Sequence, residues 1–305
     1  MKTILVTGAG GFIGRRLVQS LRARGDRVIA ALRAQRSTAS SHAKGEEYAL
    51  DLSDAESVRR LASVIGAVDA TVHLAARIPR GPGGGGADDP LAVHHADVAA
   101  IENLFDAFGT SLGPVTYASS IDVYGNVPNS PYRETQPLTP ATAYGASKAA
   151  GEEVVRRRAP PSAILRLSQV YGFGEPVVKV IPRFIERIQR GQPLPIAGGG
   201  ADRRRYLALA DAVRAFQMAI DARPVGPFNI AGEEIVSIRE LVRTFEQALG
   251  RPLAVEEVGG APTGDRYVAL DHARETFGFR PTVSLVDGLR EYLTSTGGLT
   301  SSDRG

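Results

Sequence analysis

Short apolar runs alternate along this chain with segments whose apolar residues recur at helical spacing. The first run, Ile4–Thr7, leads through a cluster of glycines into an amphipathic stretch from Arg15 to Arg24. Further apolar runs lie at 27–32, 48–52, 68–76 and 116–125, and helical patterns at 55–64, 91–108 and 143–158. Strands that alternate with helices in this way predict βαβ units and a parallel sheet.

The glycines after the first run are spaced for a phosphate-binding turn. Gly8 permits a tight turn after the strand, Gly11 allows backbone N–H groups close to a pyrophosphate, and Gly14 allows close packing of helix on sheet. Phe12 and Ile13 then begin the helix, whose N-terminus faces the phosphates. The pattern predicts a Rossmann-type doubly wound parallel α/β sheet that binds a dinucleotide.

Residues after the next three strands bear on the choice of cofactor. Arg33 ends the second strand where NAD-binding proteins carry an acidic residue, and Arg36 follows closely, so we expect NADP, with NAD as the alternative. The other cofactor contacts we expect are Asp51, for the adenine amino group, with Leu52 beside it, and the small Ala75 and Ala76 at the end of the fourth strand.

Composition narrows the class of protein. With 305 residues, 43% of them hydrophobic and 23% charged, the chain resembles an ordinary globular enzyme of one large domain or two lobes. It has no cysteine, and its five histidines lack metal-binding spacing, so we expect neither disulfides nor a metal site. The net charge of +3, with no basic tract, no long apolar span and no signal peptide, predicts a cytoplasmic protein that binds neither nucleic acid nor membrane.

Three hydroxyl- and amine-bearing residues form the candidate catalytic set. Tyr144 and Lys148 are four residues apart and share one face of a predicted helix, while Ser120 lies in the predicted fifth strand. A nearby ammonium lowers the pKa of a phenol, so Tyr144 would exchange a proton with an alcohol or ketone near neutral pH. Ser120 would orient the same substrate oxygen, and Lys148 would also hold the nicotinamide ribose.

These motifs together resemble the extended short-chain dehydrogenase/reductases, a family of nucleotide-sugar epimerases, dehydratases and reductases. The matching segments are TGxxGxxG at 7–14, HLAA at 73–76, SSxxVYG at 119–125 and YxxxK at 144–148. The resemblance implies hydride transfer between a nicotinamide and a sugar carbon, with Tyr144 as acid/base. It also implies a homodimer that pairs through the helices at 91–108 and 143–158.

The second half of the chain carries the substrate signal. The segment at 165–172 resembles the family's LRxxNVYG, with Gln169 in place of the Asn that contacts the sugar diphosphate. Arg204 matches a diphosphate-binding arginine, Arg205 replaces an expected Asp, and Arg266 is a second candidate ligand. Because 226–232 resembles a returning strand, we expect interleaved domains: residues 1–167 with that strand bind the cofactor, and 168–225 with 233–305 form a smaller α/β substrate lobe.

The residues after Ser120 bear on the reaction. Ile121 stands where dehydratases of the family have an acidic residue, and Asp122 is shorter than the Glu of relatives that abstract a ring proton, although it stays a candidate catalytic group. We therefore expect 4-keto reduction of a nucleotide sugar. The open alternatives are a 4-epimerase with retained NAD, a ketone reductase for a non-sugar substrate, and a cofactor-binding sensor or scaffold. The glycine-rich segment 81–86 is either a substrate lid or a plain linker.

Overall fold

The apolar runs of the first half become the strands of one parallel sheet. The computed structural model describes residues 1–33, 46–77, 90–127, 130–158, 161–175 and 179–297. Seven strands pair in the order β10-β6-β5-β4-β1-β2-β3, all parallel. Their bounds are β1 Thr3–Thr7, β2 Arg27–Arg33, β3 Glu46–Leu50, β4 Ala70–His73, β5 Val115–Ser120, β6 Ser162–Leu167 and β10 Gly226–Ile230. The expected doubly wound fold is confirmed.

Helices cover both faces of this sheet because each has one apolar side. They are α1 Phe12–Ala23, α2 Ala55–Ile65, α3 Pro90–Phe108, α4 Ala143–Arg158 and α6 Leu209–Ala222. One core lies between the sheet, α1 and α6, and a second lies between the sheet and α2, α3 and α4. Buried strands with apolar residues on both faces are typical of such a sheet.

A smaller set of elements packs beside the sheet's carboxyl edge. β7 Gln169–Tyr171, β9 Arg203–Ala208 and β11 Ile235–Ser237 form a three-stranded sheet, while β8 Leu194–Ala197 pairs with β12 Val255–Val258. The helices α5 Val180–Gln189, α7 Ile238–Leu249 and α9 Leu285–Ser295 bury their apolar sides in a third core, and α8 Asp271–Phe277 packs against β10.

Two local features differ from the sequence expectation. The fifth strand ends at Ser120, because the Ser120 side chain accepts a hydrogen bond from the Asp122 N–H and starts a 3-10 turn over Ile121–Tyr124. The fourth strand is only four residues long. The returning strand is present as β10, which pairs with β6 at the sheet's edge. The exact division of the chain at 167/168 stays a prediction.

Two sequence predictions fall outside the described residues. Arg36 lies between β2 and β3, and the glycine-rich segment 81–86 lies between β4 and α3. Within the described ranges, no helix is long and apolar enough to cross a membrane.

Candidate active site

The glycine turn between β1 and α1 is built by backbone contact. Gly8 has φ +67°, and a Cβ placed on it would lie 2.7 Å from the backbone N of Ala75. A Cβ on Gly14 would lie only 2.2 Å from the Gly8 carbonyl oxygen. Side chains at these two positions would therefore collide with backbone. The loop after β4 lies directly against the turn.

The backbone N–H groups that are available to a phosphate are those at the start of helix α1, and not that of Gly11. The Gly11 N–H donates to the Gly8 carbonyl at 2.9 Å, which closes the turn. Helix α1 begins at Phe12 with no capping side chain and no acidic residue in its first turn. Because the first N–H groups of a helix have no partner within it, those of Phe12 and Ile13 suit a pyrophosphate. The cradle therefore fits a dinucleotide.

The adenosine end of this cradle carries charges of both signs. Arg33 is exposed at the end of β2, opposite Leu50 on β3. Asp51 follows β3, and hydrogen bonds from Ser53 Oγ at 2.7 Å and Ser53 N at 2.9 Å lower its pKa, with Arg77 and Arg33 adding to the effect. The Leu52 carbonyl accepts a hydrogen bond from Asn103. Arg33 thus lies close enough to Asp51 to affect its pKa, at the edge of the sheet where the sequence predicts that the ribose binds.

Ser120, Tyr144 and Lys148 meet at the carboxyl edge of the sheet. Ser120 ends β5, while Tyr144 and Lys148 occupy successive turns of α4. The Ser120 hydroxyl lies close enough to the Tyr144 phenol to lower its pKa, and the Lys148 Nζ lies 5.9 Å from the centroid of the Tyr144 ring. Lys148 itself is buried. The predicted set thus brings two hydroxyl groups, those of Ser120 and Tyr144, close to the buried amine of Lys148.

The protonation of Tyr144 differs from the expectation. Burial raises the pKa of the Tyr144 phenol above its usual value, and the carboxylates of Asp122 and Asp97 add to this rise. The nearby hydroxyl of Ser120 opposes it. The expectation that Lys148 brings this pKa towards neutrality is wrong for these protein groups, because desolvation has the larger effect. Tyr144 therefore keeps its proton at neutral pH.

Lys148 and His73 are both buried behind the tyrosine. Burial lowers the pKa of Lys148 to about 8, although Asp97 and Glu152 oppose the change. Burial, helped by the charge of Lys148, lowers the pKa of His73 to about 3. The Nδ1 of His73 lies 2.8 Å from Thr7 Oγ1. His73 is consequently a neutral residue that ties β4 to β1 beneath the cradle.

Sequence reasoning missed Asp97 on α3. Its carboxylate accepts hydrogen bonds from the Arg77 backbone N–H, at 3.0 and 3.3 Å, and from Ser147 Oγ at 3.1 Å. It therefore joins the loop after β4 to the helix that carries Tyr144. Burial raises its pKa, and the charge of Lys148 opposes that rise. No local motif around Asp97 indicates this contact.

A buried ion pair behind the site was also missed. Arg166 on β6 donates to both carboxylate oxygens of Glu152 on α4, at 2.9 and 2.7 Å, and the two side chains are 3% and 0% exposed. Glu152 also accepts a 2.6 Å hydrogen bond from Ser119, the neighbour of Ser120. Since Glu152 lies four residues after Lys148, helical spacing from the Tyr–Lys pair is the signal that points to it.

The substrate side is dominated by two arginines. Arg204 on β9 and Arg266 form a parallel backbone bridge, which brings the two predicted diphosphate ligands together. Burial lowers the pKa of Arg204, and the charge of Arg266 adds to this. The Arg204 guanidinium donates to the Gly264 carbonyl at 2.6 Å and to Thr263 Oγ1 at 2.7 Å. A cavity of about 340 Å³ adjoins Arg266 and is lined by Asn126, Val127, Tyr132 and residues 263–266.

Asp122 and Arg266 form an ion pair between distant parts of the chain. Arg266 Nη2 lies 2.9 Å from Asp122 Oδ1, and the side chains are 24% and 38% exposed for Arg266 and Asp122, respectively. The Nε of Arg266 is buried and has no hydrogen-bond partner within the part of the chain that the structure describes. The candidate acid and the candidate substrate ligand are therefore partners, which the sequence did not indicate.

Polar atoms without partners lie at the start of the three-stranded sheet. The side-chain atoms Gln169 Nε2, Ser168 Oγ and Tyr206 OH are buried and form no hydrogen bond with the described residues. Gln169 and Tyr206 are register partners on β7 and β9. Arg205, by contrast, donates to the carbonyls of Gly232 and Glu233, so its departure from the family pattern is a structural contact. Gln169 has a free amide donor for a ligand.

The described side chains contain no cluster of three His, Asp or Glu residues that would bind a metal ion. The dinucleotide cradle, the Ser–Tyr–Lys set and the two arginines are thus the chemical groups of this edge.

Comparison with known proteins agrees with this geometry. The chain is 31% identical to a dTDP-glucose 4,6-dehydratase of Streptomyces griseus, over 94% of this chain and 91% of that protein. It is 29% identical to a dTDP-4-dehydro-6-deoxy-D-allose reductase of Streptomyces bikiniensis, over 95% and 94%. A UDP-glucose 4-epimerase of Thermus thermophilus, solved in complex with NAD, superposes with a TM-score of 0.81 at 26% identity, covering 98% of this chain and 100% of that one.

The sequence profile described as "NAD dependent epimerase/dehydratase family" matches residues 4–231, which span the cradle, the Ser–Tyr–Lys set, Gln169 and Arg204. The chain is therefore a member of the NAD dependent epimerase/dehydratase family, within the extended short-chain dehydrogenase/reductases.

Proposed function

We propose that this protein is an NADP-dependent reductase that converts the 4-keto group of a nucleotide sugar to an alcohol. The observation that carries the proposal is the meeting of Ser120, at the end of β5, with Tyr144 and Lys148, on successive turns of α4, at the carboxyl edge of the sheet. A reduction needs an acid that gives a proton to the developing alkoxide. A tyrosine that keeps its proton at neutral pH suits that direction of reaction.

The cofactor would be held by the glycine turn, by the N–H groups of Phe12 and Ile13, and by Arg33 at the ribose phosphate. NADPH supplies the hydride when bound. Lys148 holds the ribose on the side of α4, and the backbone of Ala75 and Ala76 forms the adjoining wall.

The protein groups around the substrate carbonyl do the proton chemistry. Ser120 donates a hydrogen bond to the carbonyl oxygen and keeps it against the phenol. Tyr144 transfers its hydroxyl proton to that oxygen as the carbon is reduced, and solvent reprotonates the phenolate. The buried Lys148 ammonium, with a pKa of about 8, stabilises the phenolate that forms.

The substrate's diphosphate would lie against Arg204 and Arg266. Two guanidinium groups brought together on adjoining segments repel one another, and a dianion between them removes that repulsion. Gln169 Nε2 adds an unpaired donor at the same edge. This donor set is the support for a nucleotide sugar rather than an uncharged ketone.

A 4-epimerase with retained NAD is the second candidate. It is favoured by the likeness to the Thermus thermophilus epimerase, which was solved with NAD. Proton abstraction from the ring, as in a dehydratase, has less support because Ile121 follows Ser120 where dehydratases of the family have an acidic residue.

The test begins with mass spectrometry of ligands that leave the purified protein on denaturation. The protein is then assayed with NADPH and dTDP-4-dehydro-6-deoxyglucose, and separately with UDP-glucose and no added cofactor. We expect NADPH oxidation in the first assay. Conversion of UDP-glucose to UDP-galactose, with NAD released from the denatured protein, would instead establish the epimerase.

The Tyr144→Phe variant separates catalysis from binding. We expect turnover to fall by about 10²- to 10⁴-fold, the usual contribution of a general acid, while NADPH still binds. Activity that persists in this variant would refute the assignment of the proton to Tyr144. Unchanged biological function without turnover would favour a sensor.

A further inference from the structure

The ion pair between Asp122 and Arg266 joins the catalytic edge of the sheet to the arginines of the substrate side. Asp122 lies in the 3-10 turn directly after β5, and Arg266 is 144 residues further along the chain. Both side chains retain solvent exposure, so a ligand in the adjoining cavity has access to the pair.

Arg266 is only partly satisfied by this partner. Its Nη2 donates to Asp122 Oδ1 at 2.9 Å, whereas its buried Nε has no acceptor among the described residues. A guanidinium offers its N–H groups as a planar fork that matches paired oxygens. Because Arg266 also lines the adjoining cavity, an anion in that cavity reaches the guanidinium that pairs with Asp122.

The other carboxylates near Arg266 bind other groups. Asp202 accepts hydrogen bonds from the backbone N–H groups of Thr263 and Gly264, and Asp265 pairs with Arg203 at 2.6 Å. Asp122 is therefore the carboxylate that the described contacts place on Arg266. An anion that binds to Arg266 must therefore compete with the Asp122 carboxylate for the same guanidinium.

We propose that Asp122 is an affinity-setting residue: its carboxylate occupies Arg266 until a diphosphate displaces it. This inference rests on the proposed binding of a diphosphate by Arg204 and Arg266. With its carboxylate where a phosphate oxygen would lie, Asp122 partly neutralises the charge of the two arginines and holds Arg266 in position. The same carboxylate weakens the binding of every anion at this site. Asp122 acts in this account through Arg266, without a covalent step.

The experiment is calorimetric titration of the full-length protein with UDP, and separately with inorganic pyrophosphate, at low ionic strength. The test variant is Asp122→Asn, and the matched control is Asp265→Asn, which removes the same charge one residue from Arg266. We expect Asp122→Asn to bind both probes about two- to fivefold more tightly, the range of a partly exposed ion pair, and Asp265→Asn to show no such gain.

Each result decides the inference. Equal or weaker binding in Asp122→Asn overturns it while leaving the proposed function intact, provided the wild-type protein binds UDP. Equal tightening in both variants also overturns it, because the effect would then come from net charge. If neither the wild-type protein nor any variant binds UDP or pyrophosphate, both this inference and the proposed diphosphate site are contradicted. In the background of Asp122→Asn, Arg266→Ala should abolish the gain, and a gain that survives this change contradicts the role of Arg266.

Discussion

The cofactor side and the substrate side of this site are built by different physical means. Around the glycine turn, backbone packs on backbone, so that a Cβ on Gly14 would lie 2.2 Å from the Gly8 carbonyl oxygen. Around Arg204 and Arg266, side-chain ions from distant segments meet beside a cavity. The first kind of site is set by shape, and the second by charge. Substitutions should therefore act on the two sides in different ways.

The largest effect is expected where the two sides join, at the buried pair of Glu152 and Arg166. Arg166→Met would leave a carboxylate buried without its partner, which costs about 3–5 kcal/mol of unfolding free energy. Urea denaturation measures the loss. The control is Arg158→Met, because Arg158 pairs with the exposed Asp106 and its removal should cost under about 1 kcal/mol.

A double variant tests the cause of that loss. Changing Glu152 to Gln in the Arg166→Met background removes the unpaired charge, and we expect a substantial part of the stability to return. No recovery would show that the packing of the guanidinium and its hydrogen bonds to Tyr124 and Glu134, rather than the charge of Glu152, carry the effect.

The shape of the cofactor side is tested by Gly14→Ala. The added methyl group meets the Gly8 carbonyl, so helix α1 must shift away from the turn at a cost of about 2–3 kcal/mol. We expect a lower melting temperature and NADPH affinity reduced by more than about tenfold, as measured by fluorescence titration. Gly259→Ala is the control, since a Cβ there meets no atom within 4 Å. Wild-type affinity in Gly14→Ala would contradict the close packing.

The charge of the substrate side is tested by Arg204→Ala. Loss of one charge-assisted contact should raise the dissociation constant of a nucleotide sugar about tenfold and leave that of NADPH unchanged. Arg203→Ala is the matched control, because Arg203 is the adjacent residue of the strand and pairs with Asp265. Equal effects of the two substitutions would mean that general charge, and not the position of Arg204, attracts the substrate.

The difference between the two sides also explains what the sequence could predict. The strands, the helices and the glycine turn depend on local patterns of apolar residues and glycines, so their positions follow from short stretches of chain. The meeting of Ser120 with Tyr144 follows as well, because the carboxyl end of β5 and the start of the next helix, α4, lie at the same edge of a parallel sheet.

Contacts between distant side chains leave no such pattern. Asp122 and Arg266 are 144 residues apart, and Asp97 on one helix reaches Ser147 on another. The Tyr–Lys spacing predicts a lowered pKa for Tyr144, and this prediction is wrong because the spacing shows the amine and does not show the burial of the phenol. Desolvation depends on the whole fold, so a motif cannot report it.

The smallest effect is expected at Arg33, a charged residue on the cofactor side of the site. Its guanidinium is exposed at the end of β2, so its attraction for a ribose phosphate is screened by solvent and amounts to about 1 kcal/mol. Arg33→Ala should reduce the preference for NADPH over NADH about fivefold, measured as the ratio of the two dissociation constants. Arg27→Ala removes the same charge from the other end of this strand and should leave the ratio unchanged. If the wild-type protein prefers NADH, or if both variants shift the ratio equally, then Arg33 does not select the cofactor, and shape alone accounts for the cofactor side.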